Sequence, residues 1–388
     1  MAMAAESLGG RGRSALRRWG PRPRLHLGRP NHDRTSVRGE RRPLKVALPI
    51  PLRGPAGIWG PSCQSCAQLG AAEINQAGGV LGREIELVTV DAGAEPDAVA
   101  QATDRLLATG EIEAVVGMHI SAVRQALAQV IAGRVPYVYT PLYEGGERAR
   151  AVFAIGETPD RQLRPAIHWL STRRRARRWV LLGNDYIWPR VSHRLVRDYV
   201  AADGGRVIDD IYLPFGHRDV DPVLDRLVRA RPDVVLISLV GQDAVTFNRA
   251  FADAGLAGRV LRLSTAIEEN ALLAIGADRT ENLYAAAGYF ANLDTTANRA
   301  FVERYRTLFG DHAPVLNALG QSCYEGLKCL HALAAQIGTT DAGRLARRAE
   351  GTAYLGARGA MRLAKGGVDQ PIFLAEAQGH DFHIVKRF

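Results

Sequence analysis

The sequence predicts an α/β chain of two doubly wound lobes with parallel sheets. Residues 44–138 alternate short apolar runs with helix-length segments three times over, and residues 178–263 do so again. Parallel strands need a long crossover between them, so this βαβ alternation with short links implies helices covering the faces of a parallel sheet. A chain of 388 residues, 47% of them apolar, can bury two such cores.

In the first set, Leu44–Ile50 reads as a strand followed by a Gly/Pro loop through Gly60. A helix over about 61–77, with Leu69, Ala72 and Ile74 on its apolar stripe, stops at Gly78-Gly79. Next come strand 84–90, helix 96–109, the apolar strand Ala114–Gly117, a helix from Ser121 to Ile131, and strand 136–138. The second set runs through strand 178–183, helix 189–202, strand 205–213, helix 218–230, strand 233–238, helix 242–254 and strand 259–263. After Tyr284–Tyr289, residues 295–308 and 314–337 are strongly helical.

The net charge of +10 belongs to one end of the chain. Residues 1–43 hold eleven Arg against Glu6, Asp33 and Glu40, leaving the rest of the chain close to neutral. This stretch is rich in Arg, Gly and Pro and poor in large apolar residues, so it reads as a disordered basic tail. The folded part is not expected to bind nucleic acid specifically. The tail has no apolar core of the roughly 7–15 residues that a secretory signal needs. A cytoplasmic location is therefore expected, or an extracytoplasmic one if the start site is misassigned. No stretch approaches the roughly 18 apolar residues of a membrane span.

Cys63 and Cys66 share the first helix, and Cys323 and Cys329 a late one; the second spacing is wide for a zinc knuckle, and small buried hydrophobes account for all four. Neither a metal nor a cofactor is expected. No Gly-x-Ser-x-Gly elbow, His-Glu-x-x-His, phosphate loop or Gly-x-Gly-x-x-Gly opens a helix, so the chain does not read as an enzyme.

Open α/β sheets bind ligands beyond the carboxyl ends of their strands. In the first lobe those loops hold Trp59, then His119 and Ser121 at a helix start, then Tyr139. In the second they hold Tyr186 and Trp188, then Gln242 and Asp243; Glu268 and Glu269 are weaker candidates, explained equally well by a solvated helix start. Aromatic rings offer flat apolar walls, while Ser121 and free N–H groups at a helix start can hold a carbonyl or carboxylate oxygen.

The segment Gly183-Asn184-Asp185-Tyr186-Ile187-Trp188-Pro189-Arg190 resembles a signature of the type I periplasmic-binding-protein family, in the branch of amide and urea receptors. Gly54–Gly60, Gly70–Gly82, Gly117–Arg124 and Tyr139–Gly146 are similar to family loops in the same order. The resemblance implies three chain crossings between lobes: residues 44–155 form the first lobe, joined again by ~290–360, and 156–289 the second, with part of ~361–388. It also implies ligand contacts at Trp59, His119, Ser121, Tyr139, Tyr186, Trp188, Gln242 and Asp243. Leu142 departs from the Gln usual in urea binders, which favours a ligand with an apolar end. The expected function is trapping of a short amide, urea derivative or amino acid as a cytosolic sensor. In that role it signals to a regulatory protein, with a homodimer possible. The alternatives are the receptor of an ABC importer working with a permease, and a hydrolase of small amides.

Overall fold

A computed structural model describes residues 42–364 and 367–388. The basic segment 1–41 and Lys365-Gly366 lie outside the described residues, as does the disorder expected of the tail.

The first sheet is wholly parallel. It contains β1 (Leu44–Ile50), β2 (Ile85–Asp91), β3 (Ala114–Gly117), β4 (Tyr137–Tyr139) and β5 (Val152–Ala154) in the order β2-β1-β3-β4-β5. The crossovers are α1 (Gly60–Gln76), α2 (Pro96–Ala108) and α3 (Ser121–Ile131). A short 3₁₀ turn, Pro55–Trp59, precedes α1 and lays the Trp59 ring down as a buried residue.

The chain then passes through α4 (Pro159–Arg173) into β6 (Arg178–Asn184), α5 (Ile187–Ala202), β7 (Arg206–Leu213) and α6 (Asp221–Ala230). It continues with β8 (Val234–Ser238), α7 (Gln242–Asp253), β9 (Leu261–Ser264), α8 (Glu269–Ile275) and β10 (Leu283–Ala287). Every residue of β8 is buried, as expected for a central strand covered on both faces. α9 (Thr296–Phe309) follows, then α10 (Ala318–Ile337), which packs along α1 and against β3 and β4, and the short α11 (Ala342–Arg348).

The last residues depart from pure parallel winding. β11 (Ala353–Gly356), β12 (Gly359–Ala364) and β13 (Gly367–Asp369) form a small antiparallel sheet. β14 (Phe373–Gln378) and β15 (Asp381–Arg387) add antiparallel strands beside β10, so the second sheet is mixed, in the order β15-β14-β10-β9-β8-β6-β7. A two-residue turn at Gly379-His380 links them, a tight hairpin that parallel strands could not form.

Three chain segments cross between the sheets, after β5, after β10 and before β14, and one guanidinium ties them together. Arg358 donates from Nη1 to Glu157 Oε1 at 3.1 Å and also to Gln370, while Glu157 Oε1 accepts the Gly288 N–H at 2.9 Å. Its Nε donates to Glu325 Oε2 on α10 at 2.7 Å. The carboxylates on either side hold Arg358 charged despite its burial, raising its pKa further.

Candidate functional site

The carboxyl ends of both sheets face one another, and the loops beyond them line a small, partly open pocket. From the first lobe come Trp59, Met118, His119, Ile120, Ser121 and Tyr139, with Pro141 and Leu142 beyond β4; from the second come Tyr186, Trp188, Val240 and Ala266. Leu319, at the start of α10, closes one side. Six of the eight residues expected from the sequence thus share one pocket.

Gln242 and Asp243 do not. They line a separate outer groove with Pro55, His217 and Arg218. The Asp243 carboxylate accepts from Asn184 Nδ2 at 2.8 Å and from the Gly216 N–H at 3.0 Å. Asn184 Oδ1 in turn accepts the Val240 N–H at 2.7 Å, so Asp243 braces the loops that present Tyr186 and Val240.

Two helices point their amino ends into the pocket, one from each lobe. α3 begins at Ser121 itself, with Ile120 in the capping position and no side chain capping the first turn. α5 begins at Ile187 after Tyr186, again uncapped by any side chain. The opening N–H groups of a helix have no partner within it and carry partial positive charge, so two such ends favour an anionic or carbonyl oxygen between them. The Ser121 hydroxyl adds a donor, 3.5 Å from the Tyr139 hydroxyl.

The polar groups behind this wall are matched to one another. Tyr139 donates to the His119 carbonyl at 2.9 Å, and the Tyr137 hydroxyl lies 3.0 Å from His119 Nε2. Burial and the nearby Arg124 charge lower the His119 pKa to about 3, so its ring is neutral at ordinary pH. Nδ1, 3.3 Å from the Ile120 carbonyl, then carries the proton, and Nε2 accepts from Tyr137. Arg124 lies over the rings of Tyr139 and Tyr143, its charge balanced by Glu144 and Glu147. No unpaired cation reaches the pocket among the described residues.

Glu268 and Glu269 are not a solvated helix start. Both are buried where the lobes meet, and they line a separate hinge-side cavity with Gln162, Tyr289 and Arg358. Trp59 Nε1 donates to Glu268 Oε2 at 2.7 Å and Asn270 Nδ2 to the Ile58 carbonyl at 3.0 Å, both across the cleft. Burial raises the Glu268 pKa to about 8 and that of Glu269 to about 7. Met118, Ile120, Pro141, Val240, Ala266 and Leu319 also line the ligand pocket and were not singled out from the sequence. Their apolar character is equally that of a core residue, and only the fold separates the two.

Residues 43–381 match the family model described as periplasmic binding protein, nearly the whole described chain. The chain belongs to the periplasmic binding protein family. The fold is that of a solute-binding protein from Rhodopseudomonas palustris HaA2 in complex with p-hydroxybenzoic acid, with a TM-score of 0.78 at 19% identity, covering 89% of this chain and 96% of that one. It is also that of a leucine-binding protein from Thermotoga maritima, with a TM-score of 0.77 at 20% identity over 89% and 98% of the two chains. A stretch of 98 residues is 32% identical to the Leu/Ile/Val-binding protein BraC3 of Rhizobium johnstonii, spanning 25% of this chain and only 26% of that relative.

The family is one of binding proteins rather than enzymes, which accords with the lack of a catalytic motif. It also corrects the expected cytoplasmic location: its members work outside the cytoplasm. That expectation rested only on the lack of an apolar run among residues 1–43. Among the described residues no helix is long and apolar enough to cross a membrane, and no cluster of His, Cys, Asp or Glu could hold a metal. Cys63, Cys66, Cys323 and Cys329 are buried free thiols.

Proposed function

We propose that the chain is the solute receptor of an ABC importer and that it traps a small monocarboxylate with a flat or branched apolar body. The observation that carries this is the pairing of two uncapped helix ends, from α3 and α5, across a pocket walled by Trp59, Tyr139, Tyr186 and Trp188. The helix ends and Ser121 hold the carboxylate, and the rings enclose the rest and exclude water. Hinge closure about the three crossings traps the solute and presents the closed form to a permease. Ligands named for structural neighbours, p-hydroxybenzoic acid and leucine among them, fit this description.

The amide-sensor role, with a regulatory partner and a dimer, is the second reading. The Gly183–Arg190 segment favours it, because a carbonyl oxygen suits the same helix ends. Leu142 lines the pocket where urea binders carry an amide side chain, which speaks against urea.

Thermal-shift screening followed by calorimetric titration separates the readings. Benzoate, 4-hydroxybenzoate and leucine should stabilise the protein more than benzamide, acetamide or urea. Stabilisation by benzamide equal to that by benzoate overturns the carboxylate assignment in favour of the amide one.

A further inference from the structure

The end of the second sheet remote from the ligand pocket is lined with arginine. β7 opens at Arg206 and β6 is entered through Arg177 and Arg178, while Arg231 and Arg259 lie just before β8 and β9. These four strands are neighbours in the sheet, so their openings span roughly 15 Å at the usual strand spacing. α4 ends at the same side with Arg173, followed by Arg174 and Arg175, and Arg229 lies in the last turn of α6.

Little of this charge is neutralised. The guanidinium groups of Arg173, Arg175, Arg206, Arg229, Arg231 and Arg259 are exposed and have no ion pair or hydrogen bond among the described residues. Arg174 donates to the Tyr284 hydroxyl and to Asn282, and Arg178 to the Ala230 and Arg231 carbonyls, all neutral acceptors. The acids at this end are engaged or outnumbered. Asp203 lies 2.8 Å from His168, Asp233 accepts the Arg177 and Arg178 backbone N–H groups, Asp253 and Asp278 pair with Arg279, and Glu281 sits beside Gly258. Asp198, near the end of α5, is a lone exposed acid against the many arginines.

We propose that this face adsorbs to an anionic phospholipid surface. A tight protein interface centres on a well-packed, desolvated patch in which side chains enter pockets. Among the described residues, Val228 is the one exposed large apolar side chain that borders the arginines. A single-stranded nucleic acid needs aromatic platforms on which bases stack, and among the described residues no exposed aromatic lies here. What the face does offer is a spread of cations on strand openings, each attracted to a negatively charged headgroup layer. The ligand pocket lies at the opposite ends of the same strands, so adsorption holds the receptor at a membrane with its cleft open to solute. This inference does not depend on which solute is bound.

The test is co-sedimentation of the full chain with vesicles of mixed phosphatidylglycerol and phosphatidylcholine, against phosphatidylcholine alone. One variant carries Arg175→Glu, Arg206→Glu and Arg259→Glu. A control variant of equal net charge carries Arg306→Glu, Arg344→Glu and Arg348→Glu, exposed positions away from this face. Both retain the arginine-rich residues 1–41. Binding to the anionic vesicles should fall about tenfold or more in the first variant, stay close to that of the unaltered chain in the control, and vanish at high salt. An equal fall in both variants assigns the binding to net charge or to residues 1–41 and overturns the proposal. So does retention on RNA by an unaltered chain that ignores vesicles. Melting curves check folding; should the charge-reversed chain not fold, the corresponding three Gln substitutions must show a smaller fall in the same direction.

Discussion

The indole N–H of Trp59 donates a 2.7 Å hydrogen bond to Glu268 across the cleft, joining residues 209 positions apart. Burial raises this carboxyl to about 8, so it is largely protonated at neutral pH, and the oxygen facing Trp59 accepts without a full charge being buried. The contact between lobes is therefore linked to a proton.

Folding stability should accordingly fall as pH rises from about 5 to about 8. Between the ordinary carboxyl value of 4.5 and the folded value of about 8, the folded chain keeps a proton on Glu268 that the unfolded chain has released. Raising pH through that window favours the unfolded chain, and the contribution levels off above it. Glu269 acts in the same direction up to about 7. Glu268→Gln keeps an acceptor for Trp59 and does not titrate, so its melting temperature should vary less over the window. Parallel pH profiles for the two proteins would show that Glu268 is not the linked group.

Gly241 is expected to permit closure. A Cβ there would lie 2.1 Å from the Pro55 carbonyl oxygen on the other lobe, and its φ of +50° is one that glycine adopts most readily. Gly241→Ala should hold the lobes apart, raising the radius of gyration in X-ray scattering and weakening ligand binding by about tenfold or more. Unchanged scattering with unchanged affinity would mean that the lobes close without this contact.

The hinge network should show the asymmetry of buried ion pairs. Arg358→Met leaves Glu325, which is fully buried, and Glu157 without their cation, at a cost of about 3–5 kcal/mol in denaturant unfolding. Replacing Glu325 by Met as well removes one stranded charge and should recover part of that loss. A double variant less stable than the single would contradict this account.

The pocket was legible in the sequence where position along a strand decides it. Ser121, Tyr139, Tyr186 and Trp188 all follow from knowing where β3, β4 and β6 end, because a parallel sheet sends those loops to one side. Orientation within a loop was not legible. Asp243 follows β8 as expected, yet its carboxylate turns toward Asn184 and Gly216 because buried N–H groups there need an acceptor. Glu268 read equally well as a wetted helix start, and only the packing of the Pro55–Trp59 turn over it makes it a buried acid. In the Arg358 network, Glu325 and Glu157 lie 33 and 201 positions from the arginine, separations that local pattern cannot register.

Ser121 and Trp188 should separate binding from stability. The Ser121 hydroxyl has only the 3.5 Å approach to Tyr139, too long to hold much energy, so Ser121→Ala should change the melting of the free protein little. Bound benzoate, or whichever acid the screen selects, would lose a donor to a buried oxygen, costing about 1–3 kcal/mol of affinity. Trp188 differs from the partly wet side chain that an open cleft would give it. It is 5% exposed and packs in the core cluster that contains Trp59 and Met118. Trp188→Ala should therefore lower both quantities, with a stability loss of about 3–5 kcal/mol beside weakened binding. Calorimetric titration and ligand-free melting of both variants decide the matter. Should Ser121→Ala lower the melting temperature while affinity stays unchanged, the hydroxyl is structural, and the carboxylate must be held elsewhere in the cleft.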